Sequence, residues 1–187
     1  MSLCDGMGGT GLTLEKIKQA VDWYIAVENN AKKRRVCRAA NPKSETFPGV
    51  DHDWCQDISL ITEQMIVKLK ESGVDMIIIT ASTPCGDFST LRLLPDRPGY
   101  EQFPRAIGED PRPGLQGKQG KLFNVAINVV TMVCKHFPTV KALVENVDFR
   151  TLVADWNTVC RSLGEPVILN SALLSHTKRV RAWWSMG

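Results

Sequence analysis

No CxxC pair occurs among the six cysteines of this 187-residue chain, Cys4, Cys37, Cys55, Cys85, Cys134 and Cys160. That absence removes the usual spacing of a zinc knuckle and argues for reduced intracellular thiols over a disulfide framework. His52 and Cys55 have a ligand-like spacing, but a structural zinc takes four ligands, so no metal is expected. An apolar run long enough to span a bilayer is also missing, as is a basic-then-apolar leader, which leaves no membrane partner to expect. Strong charge of one sign is lacking too. A net charge of +3 permits a polyanionic partner without demanding one. There is no internal repeat. What remains is an ordinary globular composition, 43% hydrophobic and 23% charged, sized for one domain with a substantial core.

The stretch Val74–Thr80 is β-branched and apolar, as in a parallel strand covered on both faces. It runs into Pro84, Cys85 and Gly86, which prolong neither strand nor helix. Cys85 therefore stands at the carboxyl end of a strand, where open α/β sheets keep their ligand crevice. On position alone two readings of Cys85 stand: a reactive thiol, or a small buried hydrophobe.

Earlier in the chain, a few residues lead into Asp5-Gly6-Met7-Gly8-Gly9-Thr10-Gly11, with Leu12, Leu14, Ile17 and Val21 following at helical spacing. A strand, a glycine turn and a helix start let backbone amides approach a ligand closely. Trp23–Glu28 reads as a second strand ending in a carboxylate, either solvated or placed to bond a ribose hydroxyl pair. Residues 29–38 read as a basic helix (Lys32, Lys33, Arg34, Arg35, Arg38), a solvated face or a phosphate contact. Residues 41–53 read as loop, and Trp54–Ile58 as a short third strand ending near Asp57.

A helix over 62–72, stopped by Gly73, precedes the strand that delivers Cys85. Residues 94–120 are rich in proline, glycine and arginine, which suits a cationic flap. A helix over 121–137, a strand over 140–147 holding Glu145, a helix over 149–163 and a strand pair over 166–174 and 179–186 complete the chain. The alternation predicts an α/β fold, a mostly parallel sheet with helices on both faces.

The ordered set Asp5–Gly11, Glu28, Asp57, Thr83-Pro84-Cys85, Glu145-Asn146-Val147 and Arg179-Val180-Arg181 resembles the catalytic domain of DNA (cytosine-5)-methyltransferases. Pro84–Ser89, Gly120–Phe123 and Arg179–Trp184 look closest to the animal de novo branch. The resemblance implies a Rossmann-like S-adenosylmethionine-dependent methyltransferase fold. It also implies methyl transfer to C5 of a cytosine flipped out of DNA, the base-flipping strategy. Cys85 would be the nucleophile that adds to C6, which requires a thiolate. Glu145 would serve N3 of the base, and Arg179 and Arg181 match the family's arginine pair.

By the same resemblance Asp5, Gly6, Met7, Gly8 and Thr10 hold the methionine part of S-adenosylmethionine. Glu28 with Asn29 takes the ribose, Asp57 and Ile58 the adenine, and Pro84 and Leu122 line the pocket. Asn146 would brace the proline–cysteine loop, and Ser89 either does likewise or simply starts a helix. Cys4 departs from the family, which commonly has a phenylalanine there. The expectation is a single methyltransferase domain over residues 1–187, truncated at both ends and lacking the target-recognition segment and last motif. An intracellular, nuclear location and a homo- or hetero-oligomeric methyltransferase partner go with it. Three alternatives stay open: an accessory DNA-binding subunit of impaired activity, an RNA cytosine-5 methyltransferase, and a cysteine hydrolase built on Cys85 and His176.

Overall fold

The computed structural model describes residues 1–4, 6, 9–40, 57–93, 110–173 and 179–187. Its strands are β1 (Ser2–Leu3), β2 (Ala26–Val27), β3 (Ile77–Ser82), β4 (Val140–Val147), β5 (Val167–Asn170) and β6 (Val180–Met186). The helices are α1 (Gly9–Lys16), α2 (Ala31–Ala40), α3 (Glu63–Glu71), α4 (Lys118–His136) and α5 (Val153–Leu163). All six strands form one sheet in the order β2-β1-β3-β4-β6-β5. β1 pairs parallel with β2 and β3, and β3 pairs parallel with β4. β6 lies antiparallel between β4 and β5. This is the mostly parallel α/β sheet that the alternation predicts. Among the described residues no helix is long and apolar enough to cross a membrane.

Local chemistry explains the element ends. The Thr62 hydroxyl accepts from the Met65 amide and caps α3, and Gly73, at φ +87°, turns the chain out of it. β3 alternates buried Ile77, Ile79 and Ala81 with less covered neighbours, so its core face fixes its register. On one side of the sheet, Phe88, Phe123, Phe149, Trp156 and Trp184 form a continuous aromatic cluster. Ring centroids lie 4.6 Å apart for Phe88–Phe149 and 5.5 Å for Trp156–Trp184. Phe88 is fully buried three residues after Cys85, so burial of its ring anchors the cysteine loop to the core.

Several expected boundaries move. The second strand shrinks from residues 23–28 to Ala26–Val27, because its partner β1 offers only Ser2 and Leu3 to pair with; Tyr24, before it, turns its hydroxyl to accept from the Gly11 amide at 3.2 Å. The third strand does not form where it is described: Asp57 caps a 3-10 turn over Ile58–Leu60, accepting from the Ser59 amide at 2.9 Å. Residues Trp54 to Gln56 of that expected strand lie outside the described residues, as do the loop 41–53 and residues 94–109 of the flap. α4 begins at Lys118 rather than Lys121, and α5 at Val153 rather than Phe149, whose ring is drawn into the aromatic cluster. α1 ends at Lys16 and buries none of its residues, leaving Ile17 65% exposed beyond the helix.

Candidate active site

A cavity of about 370 Å³ opens at the carboxyl ends of the parallel strands, the position where α/β sheets bind ligands. Each strand end contributes to its wall. Cys4 comes from the end of β1, Glu28 and Asn29 from β2, Ser82 to Cys85 from β3, and Glu145 from β4. Arg181 enters from β6 and Arg179 from just before it, Asp57 and Ile58 from the start of a 3-10 turn, and Leu122 from α4.

The cysteine loop is held from three directions. Buried Thr83 accepts from the Asn146 side-chain amide at 3.2 Å, the brace expected of that asparagine. The Cys85 carbonyl accepts from the amides of Phe88 at 3.1 Å and Ser89 at 3.0 Å, closing a tight turn. The Gly86 amide donates to Gln119 Oε1 at 2.6 Å, and a Cβ there would meet the same oxygen at 2.5 Å. The Ser89 hydroxyl accepts from the Leu91 amide at 3.2 Å, so this serine starts a 3-10 turn (Thr90–Leu93). The Cys85 side chain itself is half-buried on the cavity wall.

Glu145 links three neighbouring strands. Its Oε2 accepts from the Ser82 hydroxyl at 2.6 Å across the β3–β4 register pair. Its Oε1 meets Arg181 Nε on β6 at 2.7 Å, and both side chains are mostly buried, at 12% and 18% exposure. The Arg181 Nη1 also donates to the Val180 carbonyl at 2.8 Å, which fixes its fork against its own strand. Arg179 is exposed at the cavity mouth.

At the other end, Glu28 is only 7% exposed, and its carboxylate accepts from the Gly6 amide at 3.0 Å and the Asn30 amide at 2.8 Å. Gly6 sits at φ +66°, the left-handed region that favours glycine. Asp57 spends Oδ1 on the Ser59 amide and hydroxyl, which leaves its Oδ2 without a described partner. Burial, followed by the nearby carboxylates of Glu28 and Asp57, pushes the Cys4 thiol up to about 12. Cys4 therefore stays protonated at neutral pH and does not compete as a nucleophile.

Of the expected site residues, Cys85, Glu145, Arg179, Arg181, Glu28, Asn29, Asp57, Ile58, Pro84 and Leu122 all line this one cavity. Gly6 does not line it but touches Glu28. Thr10 is not brought to it: its hydroxyl is 3.1 Å from those of Ser2 and Thr80, tying α1 to β1 and β3. Asp5, Met7 and Gly8 lie outside the described residues, as does His176. Val27, Lys33, Ser82 and Thr83 also line the cavity without a site role expected from the sequence. Lys33 had a signal, the basic run of α2; Ser82 had none beyond its place just before the cysteine loop.

The residues at the Glu28 end fit an S-adenosyl nucleoside. A buried carboxylate suits a vicinal diol, and Asp57 Oδ2 suits an exocyclic amine. Ile58, 3% exposed, and Leu122 offer apolar walls for a purine. The cavity volume also falls in the usual range for small-molecule sites.

No protein-family model and no curated protein matches the chain. Solved structures do match. A mutant DNMT2 of Spodoptera frugiperda aligns at TM-score 0.58 and 16% identity, over 99% of this chain and 48% of that one. The S. pombe Dnmt2 methyltransferase aligns at TM-score 0.56 and 18% identity, over 98% and 49%. A putative DNA modification methyltransferase encoded within an E. coli prophage aligns at TM-score 0.59 and 16% identity, over 98% and 44%. The chain thus spans about half the length of the solved structures it matches. At such identities the likeness is one of fold, and that fold is the mixed α/β sheet of the S-adenosylmethionine-dependent methyltransferases.

Proposed function

We propose that this chain is the catalytic domain of a cytosine-5 methyltransferase that acts on DNA through a covalent adduct of Cys85. One observation carries the reading: the Cys85 thiol, the Glu145 carboxylate and two arginines converge on a single cavity with a second carboxylate, the buried Glu28. A structural cysteine at Cys85 predicts none of that company. A cysteine hydrolase would leave Glu28, Asp57 and Glu145 without a role.

The chemistry follows from the poor nucleophilicity of cytosine C5. Cys85 Sγ, as thiolate, forms a bond to C6 of the flipped base and pushes electron density into the ring. Glu145, carrying a proton taken from solvent, passes it to N3 and so neutralises the charge that builds on the ring, after which Arg181 holds the resulting carboxylate and meets the base carbonyl. Glu28, Asp57, Ile58 and Leu122 would hold S-adenosylmethionine, which would supply the methyl group to C5 and leave as S-adenosylhomocysteine. Loss of the C5 proton to base then expels Cys85 and restores the aromatic ring. Ser82 and Arg181 hold the glutamate from opposite sides, which fixes its carboxylate while the base enters. The similarity of Pro84–Ser89 to the animal de novo branch supports a nuclear enzyme of that kind, one that works with a methyltransferase partner.

The test uses S-adenosylmethionine and DNA carrying 5-fluorocytosine, which cannot release its C5 substituent and traps the adduct. A denaturation-resistant complex that disappears in Cys85→Ala is the expected result. A complex that persists in Cys85→Ala, or none at all, overturns the covalent mechanism. Running the same assay with 5-fluorocytosine in RNA decides the substrate.

A further inference from the structure

α2 carries five basic residues in ten and no acidic one. They divide by face. Cys37 is buried, Lys33 lines the cavity, and Arg34 donates to the carbonyls of Glu28 at 2.9 Å and Asn29 at 2.7 Å. Lys32, Arg35 and Arg38 recur at i, i+3 and i+6, so they form one ridge on the exposed face. Among the described residues no carboxylate pairs with any of the three.

This arrangement works against the helix that bears it. Like charges three apart repel by about 0.2–0.5 kcal/mol per pair. Lys32 and Lys33 also lie in the first turn, where the helix dipole disfavours cations and where α2 has no acid to offset them. Asn30 caps the helix through Oδ1, accepting from the Lys32 amide at 3.0 Å and the Lys33 amide at 3.1 Å. That neutral cap satisfies donors but leaves the charge uncompensated. A polyanion laid along the ridge removes the repulsion and complements the dipole at once.

From these features we infer that α2 is a docking surface for the phosphodiester backbone of duplex DNA, separate from the cavity. The ridge from Lys32 to Arg38 runs about 9 Å along the helix. That length spans roughly two to three phosphates of one strand of a duplex. Such contacts position a duplex without reading its sequence. Lys33, on the same helix, reaches the cavity wall, so a backbone held by the ridge lies beside the site. The inference rests on the proposed function for the identity of the partner, yet it is measured without cofactor or turnover.

The experiment follows binding of a short duplex DNA and of a stem-loop RNA by anisotropy across about 50–200 mM salt. The variant is Lys32→Gln/Arg35→Gln/Arg38→Gln. A control with the same loss of charge is Lys68→Gln/Lys70→Gln/Lys141→Gln, three exposed lysines on α3 and β4. Each phosphate contact contributes about 0.9 to the slope of log K against log salt. The ridge variant is expected to lower that slope by about 2–3, with the control keeping the parent slope. That loss is expected on the DNA, and a loss confined to the RNA overturns the inference. Equal slopes for ridge variant and parent, equal losses in both variants, or no binding by the parent overturns the inference. A preserved slope difference with no 5-fluorocytosine adduct leaves the ridge standing and removes the covalent mechanism instead.

Discussion

Glu145 accepts hydrogen bonds from two different strands, and each donor constrains a different oxygen. Arg181 belongs to the Arg179-Val180-Arg181 motif; Ser82 belongs to none. Its hydroxyl reaches the carboxylate at 2.6 Å because β3 and β4 put Ser82 and Glu145 in register, 63 residues apart in sequence. A hydrogen bond to a charged group contributes about 1.5–3 kcal/mol, so Ser82→Ala should lower kcat by roughly 10- to 100-fold. KM for S-adenosylmethionine should hold, and Ser82→Thr should restore most of the rate. Steady-state kinetics of the three proteins check this, and an unchanged kcat in Ser82→Ala removes Ser82 from the positioning of Glu145. The contrast also shows which residues sequence reveals. Cys85 and Glu28 stand out because a reactive or charged group at a strand end is locally unusual. A serine is ordinary anywhere, and only strand register gives it a partner.

At the scale of elements, the cysteine loop and the start of α4 are one mechanical unit. The buried Asp87 carboxylate, two residues after Cys85, accepts from the amides of Gln119 at 2.7 Å and Gly120 at 3.1 Å. It thereby caps a helix more than thirty residues ahead. The sequence places the helix start three residues late because no local side chain caps it; the cap arrives through tertiary structure. Arg112 secures the far side, donating to the Phe88 carbonyl at 3.2 Å and the Thr151 hydroxyl at 2.8 Å. Asp110, which pairs with Arg112 at 2.5 Å, is held below the usual carboxylate range by that guanidinium. Gly120 tests the unit. In a helix interior Gly→Ala is ordinarily stabilising by about 0.5–1 kcal/mol. Here the added Cβ would collide with the Gly114 carbonyl, a backbone atom that cannot swing aside. Gly120→Ala should instead cost about 1–3 kcal/mol, the range for overpacking. Urea denaturation reads the sign directly, and a stabilised variant refutes the close approach of the 3-10 turn Gly114–Gln116 to α4.

For the whole molecule, the parallel half of the sheet is legible because strand–helix alternation requires right-handed crossovers. The insertion of β6 between β4 and β5 is not, since a terminal strand pair reads the same in either order. The crossovers bring Glu28 to the end of β2 and Cys85 to the end of β3, so under the proposed function a nucleoside held at Glu28 would stabilise the fold through the same strand ends that carry the thiol. A ligand that binds only the folded chain adds about 2.7 kcal/mol at a hundredfold excess over Kd. For a chain of this size that corresponds to roughly 5–10 °C in Tm. S-adenosylhomocysteine, which cannot donate a methyl group, should produce that shift in the parent protein. Glu28→Gln should lower the starting Tm, because the amides of Gly6 and Asn30 both lose a charged acceptor and one of them meets an NH2 donor instead. It should also lose most of the ligand-dependent rise. The two effects separate by differential scanning fluorimetry with and without ligand. A Glu28→Gln protein that keeps the full rise would show that the nucleoside binds elsewhere, and the assignment of this end of the cavity would fall with it.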